Sequence, residues 1–318
     1  MIRPFCLGFC LLLLAAGSLP SPADEPRAVA FQTDDGLLIS AEYYRPTAPG
    51  PVPFAILLHG HGGDRGVWKS LAVRLSAGGM AALAVDLRGH GQSTSEESRI
   101  RMKDRDPLLF EEMQRDLRAA YDWLATQEEI DRARFAIIGA EAGAAVALRY
   151  AARDRSVDAL ALLTPPLEGL GMDSRSDMAK VKGRAILLVA ADEPEQRRAV
   201  ETLEKLTDGT SRHLVPGSGR GADLLAGSSE LEARVADFLQ KAVGAPSPKV
   251  VYGSINSHIY HLRGSGWIER IGASNLRFYS SPQEAEARGV RRARNEGPQA
   301  EPREPPGPAG GRKPGRKP

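Results

Sequence analysis

FAIIGAEAGAAVALRYAAR, residues 135–153, is the stretch on which the fold turns. Its first four residues are apolar without alternation, which marks a strand covered on both faces. Gly139-Ala140-Glu141-Ala142-Gly143 then frames a sharp bend, and the Ala-rich run behind it has helix-forming composition. A strand bent abruptly into a helix is the core of a βα unit.

Similar apolar runs stand on either side: FAILL (54–58), AALAV (81–85), ALALL (159–163) and AILLVA (185–190). The segments between them carry helical period. In residues 110–126, Phe110, Met113, Leu117, Ala120, Tyr121 and Leu124 fall on one stripe. Residues 229–242 open with Ser229 and Glu232 as a capping box and turn Leu231, Val235, Phe238 and Leu239 inward. Upstream, 28–33 and 37–44 form a hairpin around Asp34-Asp35-Gly36. A hairpin followed by repeated βα units predicts an α/β fold with a doubly wound, mostly parallel sheet over residues 24–243.

The chain has 318 residues, 42% apolar and 26% charged, which is a globular composition. Its 42 basic and 40 acidic residues give a net charge of +2, so no global field draws it to nucleic acid. Cys6 and Cys10 are the two cysteines, which excludes disulfides and zinc–thiolate sites downstream. Arg3 is the sole charge before Asp24, and residues 5–16 (FCLGFCLLLLAA) have the length of an export signal. Cleavage is expected near Ala23, giving a periplasmic or secreted protein with no membrane span after processing.

Residues 244–249 (GAPSPK) read as a linker and 250–293 as a small α+β module with strands at 250–252, 259–262 and 276–279. Ser281-Pro282-Gln283-Glu284 is a helix start, and Tyr252, Tyr260, Trp267, Phe278 and Tyr279 are the expected small core. Residues 294–318 hold no large apolar side chain and are expected to be disordered. Residues 288–318 carry nine basic and three acidic groups. An anionic cell-envelope polymer is a possible partner for that tail.

Three landmarks in order resemble the α/β-hydrolase family, over about two-thirds of the chain: LLHGHGG (57–63), DLRGHGQS (86–93) and Gly139–Gly143 in the G-x-S-x-G frame. The spacing is most similar to small dienelactone-hydrolase or serine-aminopeptidase-like esterases. About 20 residues between Leu163 and Arg184 leave no room for a large lid. The resemblance implies an oxyanion or ligand loop at His59, Gly60, His61 and Gly62, joined by Ala142. Hydrogen bonds that shape the backbone are the expected role of His59 and His90, and His61, beside the oxyanion loop, is the imidazole that could still polarise a bound ligand.

The same resemblance implies a degenerate triad. The nucleophile position holds Glu141, and residues 127–155 contain no Ser, Thr or Cys. The base position, in PGSGRGADLL (216–225), holds Arg220, and no His lies between 214 and 257. Arginine stays protonated and is no general base near neutrality. The acid position falls on Pro194, with Asp192 and Glu193 just before it. The two substitutions compensate in charge. Glu141 and Arg220 are therefore expected to pair as a buried plug, whose rupture would cost about 3–5 kcal/mol. Three readings follow: a pseudo-hydrolase acting in binding or scaffolding, with a small molecule in the former site and no cofactor; an ester or dienelactone-type hydrolase with atypical catalytic residues; or an interaction protein that works through the C-terminal module and tail.

Residues 250–293 resemble the metal-binding module of the Ada DNA-repair protein, through Asn256-Ser257, Tyr260-His261-Leu262, Asn275 and SPQEAEARG (281–289). The ligand cysteines of that family correspond here to Ser265, Ala293 and Glu296. His261, even with His258, falls short of the four ligands of structural zinc, so the resemblance implies no metal.

Overall fold

A computed structural model describes residues 26–46, 51–244, 251–262, 265, 267–271, 275–279 and 282–294. The expected leader (1–23) and nearly all of the expected linker and tail lie outside the described residues. Every apolar run singled out above is a strand. Strands β1 (Arg27–Gln32), β2 (Leu38–Tyr44), β3 (Val52–Leu58), β4 (Ala81–Val85), β5 (Ile130–Ala140) and β6 (Val157–Leu163) form one sheet with β9 (Ala185–Ala191) and β10 (Thr210–Val215). Its order is β1-β2-β4-β3-β5-β6-β9-β10. The β1/β2 and β2/β4 pairs are antiparallel and the rest are parallel. The chain steps from β3 outward to β4 and then back across to β5. That reversal opens a crevice at the carboxyl ends of β3 and β5, where open α/β sheets hold ligands.

Both faces are covered, as the unbroken apolar runs require. Phe54, Ile56 and Leu58 pack on one face with α3 (Pro107–Leu124) and α4 (Ala142–Arg153). Ala55 and Leu57 pack on the other with α1 (Lys69–Ala77) and α8 (Ser229–Gly244). The stripe read from 110–126 is buried in α3, which starts at Pro107 because Asp106 caps it through Leu108 N–H at 2.9 Å. The cap of α8 differs from expectation: Ser228 Oγ, not Ser229, accepts Leu231 N–H at 3.1 Å. Glu232 instead accepts Ser70 Oγ–H at 3.0 Å, tying α8 to α1.

Between β6 and β9 lie a two-stranded ribbon, β7 (Glu168–Gly169) and β8 (Met172–Asp173), and the short α5 (Ser174–Met178). Leu170 and Gly171 connect the ribbon with φ of 54° and 75°, the signature of a type I′ turn. Helices α6 (Pro194–Glu204) and α7 (Asp223–Ala226) follow β9 and β10, and α2 (Glu96–Lys103) precedes α3.

The DLRGHG loop is anchored by charge. Buried Arg88 donates to Asp116 of α3 through its backbone N and its Nε, both at 2.8 Å, and through Nη1 to Asp35 of the β1–β2 turn at 2.8 Å. Asp116 is wholly buried. Burial pushes its carboxyl up to about 6, against the pull of Arg88. The neighbouring Asp86 accepts the backbone N–H groups of Arg65 and Gln92, each at 2.8 Å.

The C-terminal module is a four-stranded sheet ordered β13-β11-β12-β14, from β11 (Val251–Ser254), β12 (Ile259–Leu262), β13 (Leu276–Tyr279) and β14 (Arg291–Arg292), with α9 (Pro282–Ala287) alongside. Val251, Tyr260, Tyr279, Ala285 and Val290 make its core, and Tyr252 is buried beside them. Trp267 departs from expectation: it is 55% exposed, with its ring near His261 on one side and Arg270 on the other. It precedes a short 3₁₀ turn, Ile268–Arg270, after which Ile271 O accepts from Arg132 Nη1 at 3.0 Å.

Removing one partner of a buried ion pair leaves the other charge stranded. Asp116→Ala is therefore expected to lower unfolding free energy by about 3–5 kcal/mol. A shift of the urea midpoint at constant slope checks it.

Candidate functional site

The crevice between β3 and β5 is built by close backbone packing. A Cβ at Gly143 would sit 2.4 Å from the His59 carbonyl oxygen and 2.5 Å from that of Leu58, so α4 presses directly on the end of β3. A Cβ at Gly139 would strike the Gly143 carbonyl at 2.3 Å. The two framing glycines thus let β5 turn into α4 within one residue. That residue is Glu141, with φ 50° and ψ −113°, a conformation that side-chain-bearing residues rarely adopt. It is fixed by its own N–H donating to Leu163 O at 2.8 Å, while its carbonyl accepts from Ala144 N at 3.0 Å.

The bend delivers the Glu141 side chain to the crevice. Its Oε2 lies 3.0 Å from where a Cβ at Gly60 would stand, and its Cγ 3.2 Å from one at Gly221. The carboxylate therefore lies between the His-Gly loop after β3 and the glycine loop after β10. Arg220 Nε approaches Glu141 Oε1 at 3.4 Å, as charge compensation predicted. The pair is not a buried plug, however. The Arg220 side chain is 62% exposed and that of Glu141 34%, because the loop carrying Arg220 lies over the rim of the crevice. A pair this wet contributes about 1 kcal/mol or less.

Asp192, at the end of β9, does not join them. Its carboxylate pairs with Arg197, one turn into its own helix α6. Glu193 accepts from Gln196 Nε2 at 3.0 Å, and the same nitrogen donates to Gly219 O at 2.9 Å. That amide holds the α6 start against the Arg220 loop.

The His-Gly loop divides its roles. His59 is fully buried, and its Nδ1–H donates to Gly60 O at 2.7 Å while Nε2 accepts Leu87 N–H at 3.1 Å. Both nitrogens are committed to the backbone: Nδ1 shapes its own loop, and Nε2 joins it to the DLRGHG loop, as expected of a shaping residue. His90 makes a 3.2 Å contact from Nδ1 to Arg88 O and packs edge-on to His59 at 4.7 Å. His61 is exposed and lies by His90 and Phe110. Gly62 takes φ 77° to turn the loop.

Beside Glu141 is a cavity of about 160 Å³. Ala142, Ala145, Leu170 and Met172 give it apolar walls, and Arg105, Arg220, Glu141 and Glu168 stand at its rim. His61 is not among its lining residues. Among the described residues, the non-glycine positions with positive φ are Arg105, Glu141, Thr164 and Leu170, and all four line this cavity. Thr164 further ties the walls together: its N–H donates to Val189 O at 2.7 Å, and its hydroxyl accepts Gly221 N–H at 2.8 Å. Sequence reading missed Arg105, Thr164 and Leu170. Gly169 and Gly171 around Leu170 were the one usable signal, since paired glycines mark a tight turn. Among the described residues, no three His, Cys, Asp or Glu side chains gather to hold a metal ion.

Comparison with known proteins agrees with this geometry. Residues 51–202, just under half of the chain, match the model of the serine aminopeptidase family. An uncharacterised protein of Mycobacterium tuberculosis is 33% identical over 154 residues, which cover 48% of this chain and 50% of that protein. The match thus spans about half the length of that relative. A dienelactone hydrolase from Anabaena variabilis superposes with a TM-score of 0.57 at 19% identity, over 69% of this chain and 98% of that one. An esterase from Pyrococcus furiosus gives a TM-score of 0.54 at 19% identity, over 71% and 98%. The sheet order, the bend at Glu141 and these likenesses establish the α/β-hydrolase fold.

His59 and His90 make stability pH-dependent. Burial holds His59 below the usual imidazole value and His90 down to about 4. An imidazole depressed in the folded state stabilises above about pH 6.5, where the unfolded chain is also neutral. That contribution is lost as pH falls from about 6.5 towards 4, by on the order of 3 kcal/mol for His90. His90→Asn should flatten the decline in melting temperature over that window, and an unchanged slope would count against it.

Proposed function

We propose that this α/β-hydrolase-superfamily chain is a binding protein that keeps the pocket of the fold without its Ser–His ester chemistry, and that it acts outside the cytoplasm. The observation that carries the reading is the pair at the bend: Glu141 where the chemistry needs a hydroxyl, and Arg220 at 3.4 Å where it needs a base. Acyl transfer requires a nucleophile whose proton a neighbouring group can accept. A carboxylate at the bend has no proton to give up, and its attack on an ester would form an anhydride. Clearing that intermediate needs activated water, and a guanidinium cannot activate it. His59 is committed to the backbone on both nitrogens.

The ligand suited to this cavity is a small carboxylic acid. About 160 Å³ is below the usual range for drug-sized ligands and accommodates a short acyl chain against Ala145, Leu170 and Met172. With Arg220 engaged by Glu141 and Glu168 by Arg175, Arg105 is the rim cation that favours the acid over the neutral ester. The apolar run at 5–16 supports export, and the basic composition of 288–318 supports a weak attraction to anionic envelope polymers. The small sheet module is read as an Ada-like unit that has lost its metal ligands.

Three experiments test this. With p-nitrophenyl acetate, the purified chain is expected to give no turnover above buffer. Short carboxylic acids should raise its melting temperature saturably, and more than their methyl esters do. Steady multiple turnover that Glu141→Ala abolishes would establish the other reading, an ester hydrolase with an atypical catalytic set. For export, cell fractionation should recover the chain outside the cytoplasm with Asp24 as its first residue; a cytoplasmic full-length product would refute it.

A further inference from the structure

Among the described residues that line the pocket beside Glu141, Thr164 is the one buried polar side chain, at 5% exposure. Its oxygen accepts Gly221 N–H at 2.8 Å, which leaves the hydroxyl proton to be donated. Among the described residues that proton meets no acceptor. A buried donor without an acceptor opposes folding, and its place in a pocket wall points to a bound group that completes it. The backbone agrees. Thr164 is β-branched and holds φ at 46°, an outlier of the kind that gathers at ligand sites.

The opposite requirement stands beside it. A Cβ at Gly221 would lie 3.2 Å from Glu141 Cγ, so Thr164 and Glu141 flank the same glycine. Arg220 Nε approaches Glu141 Oε1 at 3.4 Å. Among the described residues Oε2 accepts no hydrogen bond. A donor and an acceptor set around one glycine call for a single group that both accepts and donates. A hydroxyl does both: its oxygen accepts from Thr164 and its proton goes to Glu141. A keto oxygen only accepts, and it would face the Glu141 carboxylate. An ammonium only donates, and it would face the Thr164 O–H.

We propose, resting on the small-acid reading above, that the ligand is a short hydroxy acid and that Thr164 is the residue that selects its hydroxyl. The carboxylate lies at the rim by Arg105, the hydroxyl bridges Thr164 and Glu141, and the short aliphatic end packs on Ala145, Leu170 and Met172. A site built to hydrogen-bond a ligand oxygen rejects the analogue that lacks it, because its own polar groups are then left without partners.

The test is calorimetric titration of the full chain with butyrate, 2-hydroxybutyrate, 3-hydroxybutyrate and 2-oxobutyrate at one pH and ionic strength. One of the two hydroxy acids is expected to bind at least tenfold tighter than butyrate and than 2-oxobutyrate. Thr164→Val keeps the branched shape and removes the hydroxyl, so it should bring the favoured hydroxy acid down to the affinity of butyrate and leave butyrate unchanged. Thr164→Ser should retain the preference. Butyrate binding by each variant shows that its pocket is folded. If butyrate and both hydroxy acids bind equally, or if Thr164→Val keeps the preference, the role of Thr164 is refuted while the small-acid reading stands. Equal affinity for 2-oxobutyrate and the hydroxy acids would overturn the hydroxyl assignment. Absence of binding by all four acids would overturn the small-acid reading itself, and this inference with it.

Discussion

The backbone at residue 141 is the constraint on which the rest of the molecule depends. One residue must reverse the chain from the end of β5 into α4 while α4 presses on the carbonyls that end β3. Only glycine fits at positions 139 and 143, because any Cβ there would overlap main-chain atoms. The residue between them is forced to positive φ whatever its side chain. Such strain costs on the order of 1–3 kcal/mol, and it persists because the sheet on one side and the helix on the other determine it together. The geometry therefore does not depend on the side chain it carries, and here that side chain is a glutamate.

Strain also draws the outline of the pocket. Arg105, Thr164 and Leu170 come from three different connections, yet each takes a positive φ beside Glu141. Leu170 sits in a turn that favours Asn or Gly, and it turns an apolar side chain into the cavity wall. Four such residues around one small cavity indicate a shape held for a purpose, since strain elsewhere in a fold is removed at little cost. The charged rim and the apolar interior are the features on which the proposed binding of a small acid rests.

Much of this architecture was legible in the sequence because burial on both faces leaves an unmistakable trace. The five apolar runs became five parallel strands, four of them within two residues of the expected bounds and β5 extended well before its run, to Ile130–Ala140, and the stripe on 110–126 became the buried face of α3. The bend was legible because two glycines at fixed spacing have a steric cause. The pairing of Glu141 with Arg220 followed from the family positions the two residues match together with their opposite charges, but its exposure did not, since burial depends on how a loop lies over the crevice. Local chemistry misled at Ser229, where the neighbouring Ser228 offers the same hydroxyl one residue earlier. It also misled at Trp267, where a large aromatic side chain stands mostly in solvent. Arg105 and Thr164 had no signal, because neither residue type favours the backbone it adopts.

The sheet also ends in a way that bears on association. Strand β10 is an open edge, and an open edge invites pairing with another chain. Here Ser211 and Arg212 are exposed along it, and Arg212 is bracketed by Glu201 and Glu204 of α6 at 3.5 and 2.9 Å. A foreign strand docking there would have to strip water from that charged bracket. The edge is thereby guarded against continuous sheet growth, so self-assembly by strand addition is disfavoured at this end of the molecule.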